Sequence, residues 1–375
     1  MMQQFDEIRP YNDKEMQEAI QRIAAHPYFR VVIDFLFPNA DVEHFKKEFC
    51  QLQSIQEFQK KIMKEAIWAI VKKTSSGLDC SGFESLKKNK YYMFLGNHRD
   101  ILLDSALLQI LLFKYELKTS EITFGSNLMQ NDFVTDIGKL NKMFKIARDG
   151  NLRDLYKDLH CVSSYMRYNI TQKEESVWIA QRNGRTKNGN DMTEIAVLKM
   201  FSLSSNLSFV ENLSELNITP LAVSYEFEPC DFLKTGELYI RRRRKYVKAL
   251  NEDLNSILTG ITQWKGRIHL AAADVITASQ LMKYEKERDK YIALGKWIDN
   301  QIYTHYKLWP NNYIAHDMLH QSQKHSAHYN QEEKGKFIQY MEDGLQKMEG
   351  EQKELQEIFL GIYANPVDKC LGESS

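Results

Sequence analysis

The hydropathy pattern changes period between Tyr91 and Gln109. A β-rich apolar run, Tyr91 to Leu95, stops at Gly96. Asn97-His98-Arg99-Asp100 comes next, and a wide apolar face then begins at helical spacing with Ile101, Leu102, Leu103, Ala106, Leu107, Ile110 and Leu111. Such a switch predicts a strand running into a helix, and Asp100 has the identity and position of a helix N-cap. A histidine is thereby placed at a strand-to-helix junction.

Upstream, Met16, Ala19, Ile20 and Ile23 recur at helical spacing over Asp13 to Ala25, with Asn12 or Asp13 as cap. An aromatic and apolar run, Phe29 to Phe37, ends at Pro38-Asn39. A second helical stretch is predicted from about Val42 to Lys73, mixing Phe45, Phe49, Phe58, Ile67 and Trp68 with seven lysines. That mixture suits either a helical pair packed on the core or an amphipathic face resting on anionic lipid. The polar stretch Thr74 to Gly82 reads as a boundary, dividing a helical region, 1–82, from a central domain, 83–276.

Within the central domain, Glu121 to Ser126, Val177 to Ala180, Ile218 to Tyr225 and Ile268 to Ile276 read as strands. Asp136 to Ile146, Leu152 to about Arg167 and the face Ala196, Val197, Met200 and Phe201 read as helices. Strands alternating with helices predict an α/β sheet layered with helices. From 277 to 375 the pattern changes to long charged helices, Met282 to Tyr306 and Glu332 to about Tyr363, joined by a loop at Trp309-Pro310-Asn311-Asn312. These are expected to cover one side of the core, or to form a regulatory or dimerising appendage.

Composition narrows the class. The 50 basic residues are balanced by 50 acidic ones, so no global field favours nucleic acid. The densest basic run, Arg241-Arg242-Arg243-Arg244-Lys245, reads as a solvated face or a contact for anionic head groups. Five cysteines without paired spacing argue against a disulfide framework or a zinc site and predict a reducing, cytoplasmic setting. The N-terminus is charged where a signal peptide needs an apolar core, and no apolar run reaches the roughly 18 residues of a membrane span. A soluble or peripheral protein is expected.

Asp104 lies inside the apolar helical face after His98, where an unpartnered carboxylate would be costly. His98 is the nearest partner in sequence. A carboxylate that orients an imidazole makes histidine a general base for a hydroxyl. The competing reading has Asp100 capping the helix and His98 as a plain loop residue. The triplet His98-Arg99-Asp100 also matches the start of the protein-kinase catalytic loop, but Ser105 stands where that pattern needs asparagine, and no Asp-Phe-Gly lies downstream.

Asn97-His98-Arg99 with a nearby acidic residue after it resembles the first motif of the glycerolipid acyltransferases, the glycerol-phosphate and lysophosphatidate acyltransferase family. That family has four residues between His and Asp. This chain has five between His98 and Asp104, or one between His98 and Asp100. Asp104 is the preferred partner and Asp100 the alternative. Lys145 to Gly150 is similar to the second block, which implies that Arg148 helps hold the acyl acceptor. Asn183-Gly184-Arg185-Thr186 resembles the third block, with Asn183 in place of glutamate, one residue missing, and Arg185 matching the family's arginine. A Gly-rich turn with Arg182, Arg185 and Lys187 suits a phosphate or carboxylate cradle. Ile218 to Tyr225, with Pro220 near its start, resembles the fourth block, on the acyl-donor side.

The resemblance covers Tyr91 to Glu228. It implies an acyltransferase-type mixed sheet and an O-acyltransferase moving a fatty acyl group from acyl-CoA or acyl carrier protein to a lysophospholipid or glycerol-phosphate hydroxyl. His98 would be the base, and Asn97, Arg99, Arg148, Asn183, Gly184, Arg185, Lys187 and Pro220 the substrate contacts. No cofactor or metal is implied beyond the acyl co-substrate. The expected setting is the inner face of the cytoplasmic membrane, in peripheral contact with anionic lipid. A lyso-aminolipid acceptor and a non-catalytic lipid-binding protein are the alternatives.

Overall fold

The computed structural model describes residues 2–129, 131–147 and 151–372. Among these, β1 (Gly77–Ser81), β2 (Met93–Gly96), β3 (Glu121–Gly125), β4 (Met143–Ile146), β5 (Val177–Ala180), β6 (Ile218–Tyr225) and β7 (Arg267–Ala272) form one sheet. Its order is β1-β7-β6-β2-β5-β3-β4. Five adjacent pairs are parallel, and β6 against β7 is antiparallel. The fold is a mixed α/β sheet layered with helices, and helices precede and follow the sheet-forming segment.

Side-chain alternation along each strand feeds two apolar layers. Phe94, Trp178, Leu221 and Val223 pack with Leu103, Leu107 and Ile110 of the helix Leu103–Lys114 and with Ile67 and Ile70. Met93, Leu95, Val177, Ile179, Ile218 and Ala222 face the opposite way, against Val162, Tyr165, Leu198, Leu294 and Ile298. Met93, Phe94 and Leu95 are fully buried. At about 1.5–3 kcal/mol for each such side chain, β2 is anchored firmly enough to hold the turn at its carboxyl end in place.

The helix Asp13–Ala25 forms over the predicted span. Asn12 accepts from Lys14 N and Glu15 N, and the Glu15 carboxylate accepts from Asn12 N, closing a capping box. Val177–Ala180 and Ile218–Tyr225 also match their predicted spans.

Elsewhere tertiary pairing overrides local pattern. The polar stretch at 74–82 contains an edge strand, because Gly77–Ser81 pairs in register with Arg267–Ala271. The predicted helix 136–146 is instead a helix, Asp132–Leu140, and strand β4. Lys142 adopts a positive φ of 58° between them, which no helix can continue through. The stretch 42–73 breaks after Cys50, restarts at the Ser54 cap and passes through a π-helical turn, Gln59–Met63. Trp309 to Asn312 opens a helix, Pro310–Leu319, with proline in the first turn where its missing NH costs nothing. The two long C-terminal helices are each divided, into Ala278–Glu285 and Lys290–His305, and into Gln331–Leu345 and Gln352–Leu371. Lys290–His305 lies on the sheet, while the last pair with Pro310–Leu319 surrounds Phe337, Phe359 and Tyr363. No described helix is long and apolar enough to cross a membrane.

Candidate functional site

β2 ends at Gly96, between β5 and β6, and releases the chain at the carboxyl edge of the parallel strands, where open α/β sheets place ligands. Gly96 sits where a Cβ would stand 3.1 Å from the Trp178 indole nitrogen. The next residues turn sharply because Asp104, in the first turn of the adjoining helix Leu103–Lys114, collects their donors. Its Oδ2 accepts from Arg99 N at 2.6 Å and Asp100 N at 2.9 Å, and lies 3.0 Å from His98 Nδ1. The Tyr225 hydroxyl at the end of β6 donates to Asp104 Oδ1 at 2.8 Å. Four donors therefore compensate the burial of one carboxylate.

With Nδ1 held by Asp104, the second ring nitrogen of His98, Nε2, has no bond to a described protein group. The imidazole lines a cavity of about 890 Å³ and meets Trp178 edge-on at 5.9 Å between centroids. Asp104 is thus the partner of His98. Asp100 is not the N-cap expected of it, because the helix begins at Leu103 with Leu102 at the cap position. Its Oδ1 instead accepts from Leu102 N and Leu103 N at 2.9 and 2.7 Å, ordering the turn that precedes the helix. Its other oxygen is buried without a partner against Gly260, and burial together with the nearby Asp104 charge raises its pKa.

The loop after β5 forms the opposite wall. Thr186 N donates to the His98 carbonyl at 2.8 Å, fixing this loop against the His98 turn. Arg182, Asn183, Gly184, Arg185 and Lys187 all line the cavity. Gly184 has φ +77°, a conformation that favours glycine. Arg185 is nearly buried; its Nη1 is enclosed and has no hydrogen-bond partner, and its charge lies near Asp100 and Cys230, whose pKa values it pulls down against the effect of burial. Lys187 lies 2.6 Å from Glu237; burial and then Arg185 lower its pKa to about 8 against the pull of that carboxylate. Phe124, Leu128, Ile146, Leu155, Leu159 and Met200 supply apolar lining, and the carboxylates of Glu194, Glu237, Glu252 and Asp253 also line the cavity.

Three predicted contacts do not line the cavity. Asn97 is buried, with its amide donating to Asp191 and the Val223 carbonyl and accepting from Val223 N. Arg99 is also buried, held by Asp191 at 2.6 Å, Glu228 at 3.1 Å and the Gly189 carbonyl, over the Tyr306 ring. Pro220 is buried in mid-strand beside Leu95, where its carbonyl accepts from Ala273 N. All three have their capacity taken by protein. Arg148 lies outside the described residues.

Asp191 was not singled out from the sequence, yet it ties Asn97, Arg99 and Thr186 Oγ1 together. The same holds for Tyr225, Glu228 and Lys234, whose ammonium bonds Glu228 and the Arg99 carbonyl. Their only sequence signal is a charged or phenolic residue within or closely after a candidate block. The site also draws on the last third of the chain. Tyr303 donates to the Asp191 carbonyl at 2.5 Å, Asp299 accepts from Thr193, and Asn365 donates to the Asn188 carbonyl at 2.7 Å.

No family model and no curated protein sequence matches this chain. Among solved structures it is similar to the 1-acyl-sn-glycerophosphate acyltransferase PlsC of Thermotoga maritima. That alignment covers 77% of this chain and 94% of that one, at 11% identity and a TM-score of 0.38.

Proposed function

We propose that this protein is an O-acyltransferase that moves a fatty acyl group from a thioester, acyl-CoA or acyl carrier protein, to a hydroxyl of an anionic lysolipid or glycerol-phosphate acceptor. The observation that carries this reading is the His98–Asp104 pair, 3.0 Å apart, with the imidazole on a cavity lined by Arg182, Arg185 and Lys187 as well as by apolar side chains. The resemblance of Asn97 to Asp104 and of Asn183 to Thr186 to the acyltransferase motifs supports it independently of the geometry.

In this mechanism the acceptor hydroxyl gives its proton to His98 Nε2 as its oxygen attacks the thioester carbonyl carbon. Asp104 holds the ring through Nδ1 and stabilises the imidazolium that forms. The tetrahedral intermediate collapses with cleavage of the carbon–sulfur bond, and the imidazolium proton passes to the departing thiolate. Products are the acyl ester and the free thiol. Arg182, Arg185 and Lys187 hold the acceptor's anionic group. The apolar lining takes the acyl chain.

The acceptor reaches the cavity from a membrane surface. Val247 is 80% and Leu250 89% exposed, and Leu254, Leu258 and Trp264 are exposed after them. Val247 lies between Lys245 and Lys248 and Leu250 follows them, and Tyr246 and Lys248 line the cavity. Apolar side chains interleaved with cations suit contact with anionic head groups.

The test is thiol release from palmitoyl-CoA and from acyl carrier protein thioesters, offered lysophosphatidate, glycerol 3-phosphate or a hydroxylated N-acyl amino acid, with wild type beside His98→Ala. Acceptor-dependent release lost in the variant supports the reading. The preferred acceptor separates phosphate from carboxylate recognition, for which the neutral Asn183 on the cavity wall leaves room. No release from any donor, with lipid binding unchanged by the substitution, would leave a lipid-binding protein instead.

A further inference from the structure

The helix Pro310–Leu319 and the turn after it carry His316, His320, His325 and His328 within a short span. They lie among the C-terminal helices and do not line the large cavity. His316, Asp317 and His325 are all buried, and one donor atom from each lies within 4.8 Å of the other two. His316 Nε2 is 3.0 Å from Asp368 of the helix Gln352–Leu371, while its Nδ1 is buried with no hydrogen-bond partner. Two imidazoles and a carboxylate form a donor set suited to a borderline divalent cation such as Zn²⁺.

We infer that His316, Asp317 and His325 form a divalent-cation site, with zinc the best match, that pins the turn after the helix Pro310–Leu319. Asp368 acts as the orienting carboxylate, fixing the His316 ring so that its other nitrogen is presented to the ion, the arrangement usual for metal-bound histidine. Asp317 accepts from Ser322 Oγ at 2.7 Å, Tyr329 OH at 2.9 Å and His325 N. A ligating carboxylate is commonly held by such bonds and retains lone pairs for a metal. Three protein ligands leave a position for water. The neighbouring combination of His316, His320 and Asp368 is more exposed and would need Asp368, already bonded to the His316 ring, as a ligand, so it fits less well.

The experiment uses the full chain, stripped with a chelator, dialysed against Zn²⁺ and analysed for bound metal, then titrated with Co²⁺ and read by its visible ligand-field bands. One equivalent retained, with tetrahedral Co²⁺ absorption displaced by Zn²⁺ and a raised Tm, supports the site. His325→Ala should remove the retained equivalent and Asp368→Asn weaken binding about 10–100-fold. His320→Ala should leave both unchanged. Wild-type protein that retains no metal would overturn the inference, without recourse to any variant. Binding that survives His325→Ala, or is lost in His320→Ala alone, would also overturn it. None of these readouts depends on acyl transfer.

Discussion

The carbonyl of His98 accepts the backbone NH of Thr186 at 2.8 Å, so the proposed base and the cation-bearing loop after β5 cannot move independently. The hydrogen bond joins a strand end to a loop almost ninety positions later in the chain. It defines one wall of the cavity from the first and third motifs together, and it sets what substitutions there should do.

His98→Ala should lower kcat about 10²–10⁴-fold, the usual worth of a general base, with the far-UV spectrum and Tm close to wild type. Asp104→Asn should also lose most of kcat, because an amide in place of the carboxylate no longer stabilises the imidazolium. Asp100→Asn retains an oxygen for Leu102 N and Leu103 N and should keep kcat within a few-fold. Equal losses for the two aspartate variants in steady-state assays would sink the assignment of Asp104 as the partner.

Arg99→Met removes the cation shared by Asp191 and Glu228, both buried. Glu228 keeps Lys234, but Asp191 is left without a cation, and stranding a buried carboxylate in this way typically costs about 3–5 kcal/mol. Urea unfolding should show a loss of that order, whereas a substrate-contact role would instead raise KM in a protein of normal stability.

The Lys187 pKa near 8 predicts a pH dependence for acceptor binding. The ammonium is present below that value, so KM for an anionic acceptor should rise as pH passes upward through about 8, and Lys187→Arg should flatten the rise. The sign for stability is opposite. The unfolded chain holds this proton to a higher pH than the folded one, so the group's contribution to stability grows as pH rises from about 8 toward the ordinary lysine value. A KM that falls across this range would exclude Lys187 as an acceptor contact.

Gly189 has φ +77°, and a Cβ there would collide with the Ile362 carbonyl of the helix Gln352–Leu371. Gly189→Ala should push the loop off that helix, costing about 1–3 kcal/mol and lowering kcat although position 189 touches no proposed substrate. Chemical denaturation and kinetics on the same preparation check both effects. Unchanged turnover in a destabilised protein would show that the helix supports the fold without positioning the loop.

Replacing Leu250 with Asp and Arg244 with Glu should weaken sedimentation with vesicles rich in anionic lipid, about 1 kcal/mol for each basic residue lost from the surface. Turnover on monomeric, short-chain acceptors should be unaffected. Vesicle binding equal to wild type would place the membrane contact elsewhere.

Local chemistry in the sequence determined where the proposed base lies. The strand–Gly96–His98–helix junction, the capping of Asp13–Ala25 and the apolar runs of β5 and β6 are short-range features, and each formed as its residues dictate. The loop bearing Arg185 and Lys187 was legible for the same reason. Only the tertiary structure decided which aspartate serves His98, because that choice depends on how tightly residues 98–104 turn, and the turn is set by donors converging on Asp104 from Arg99, Asp100 and the distant Tyr225. It also decided that Asn97 and Arg99 face inward. A charged or amide side chain beside a catalytic motif has no local mark telling ligand from scaffold, and Asp191 and Glu228, which bury Arg99, come from other loops. The strand Gly77–Ser81 was hidden likewise, since a polar edge strand is defined by its partner, β7, rather than by its own periodicity. The C-terminal helices gave no chemical signal at all, yet Tyr303, Asp299 and Asn365 hold the cation-bearing loop in place, a role that exists only through contacts closed by folding.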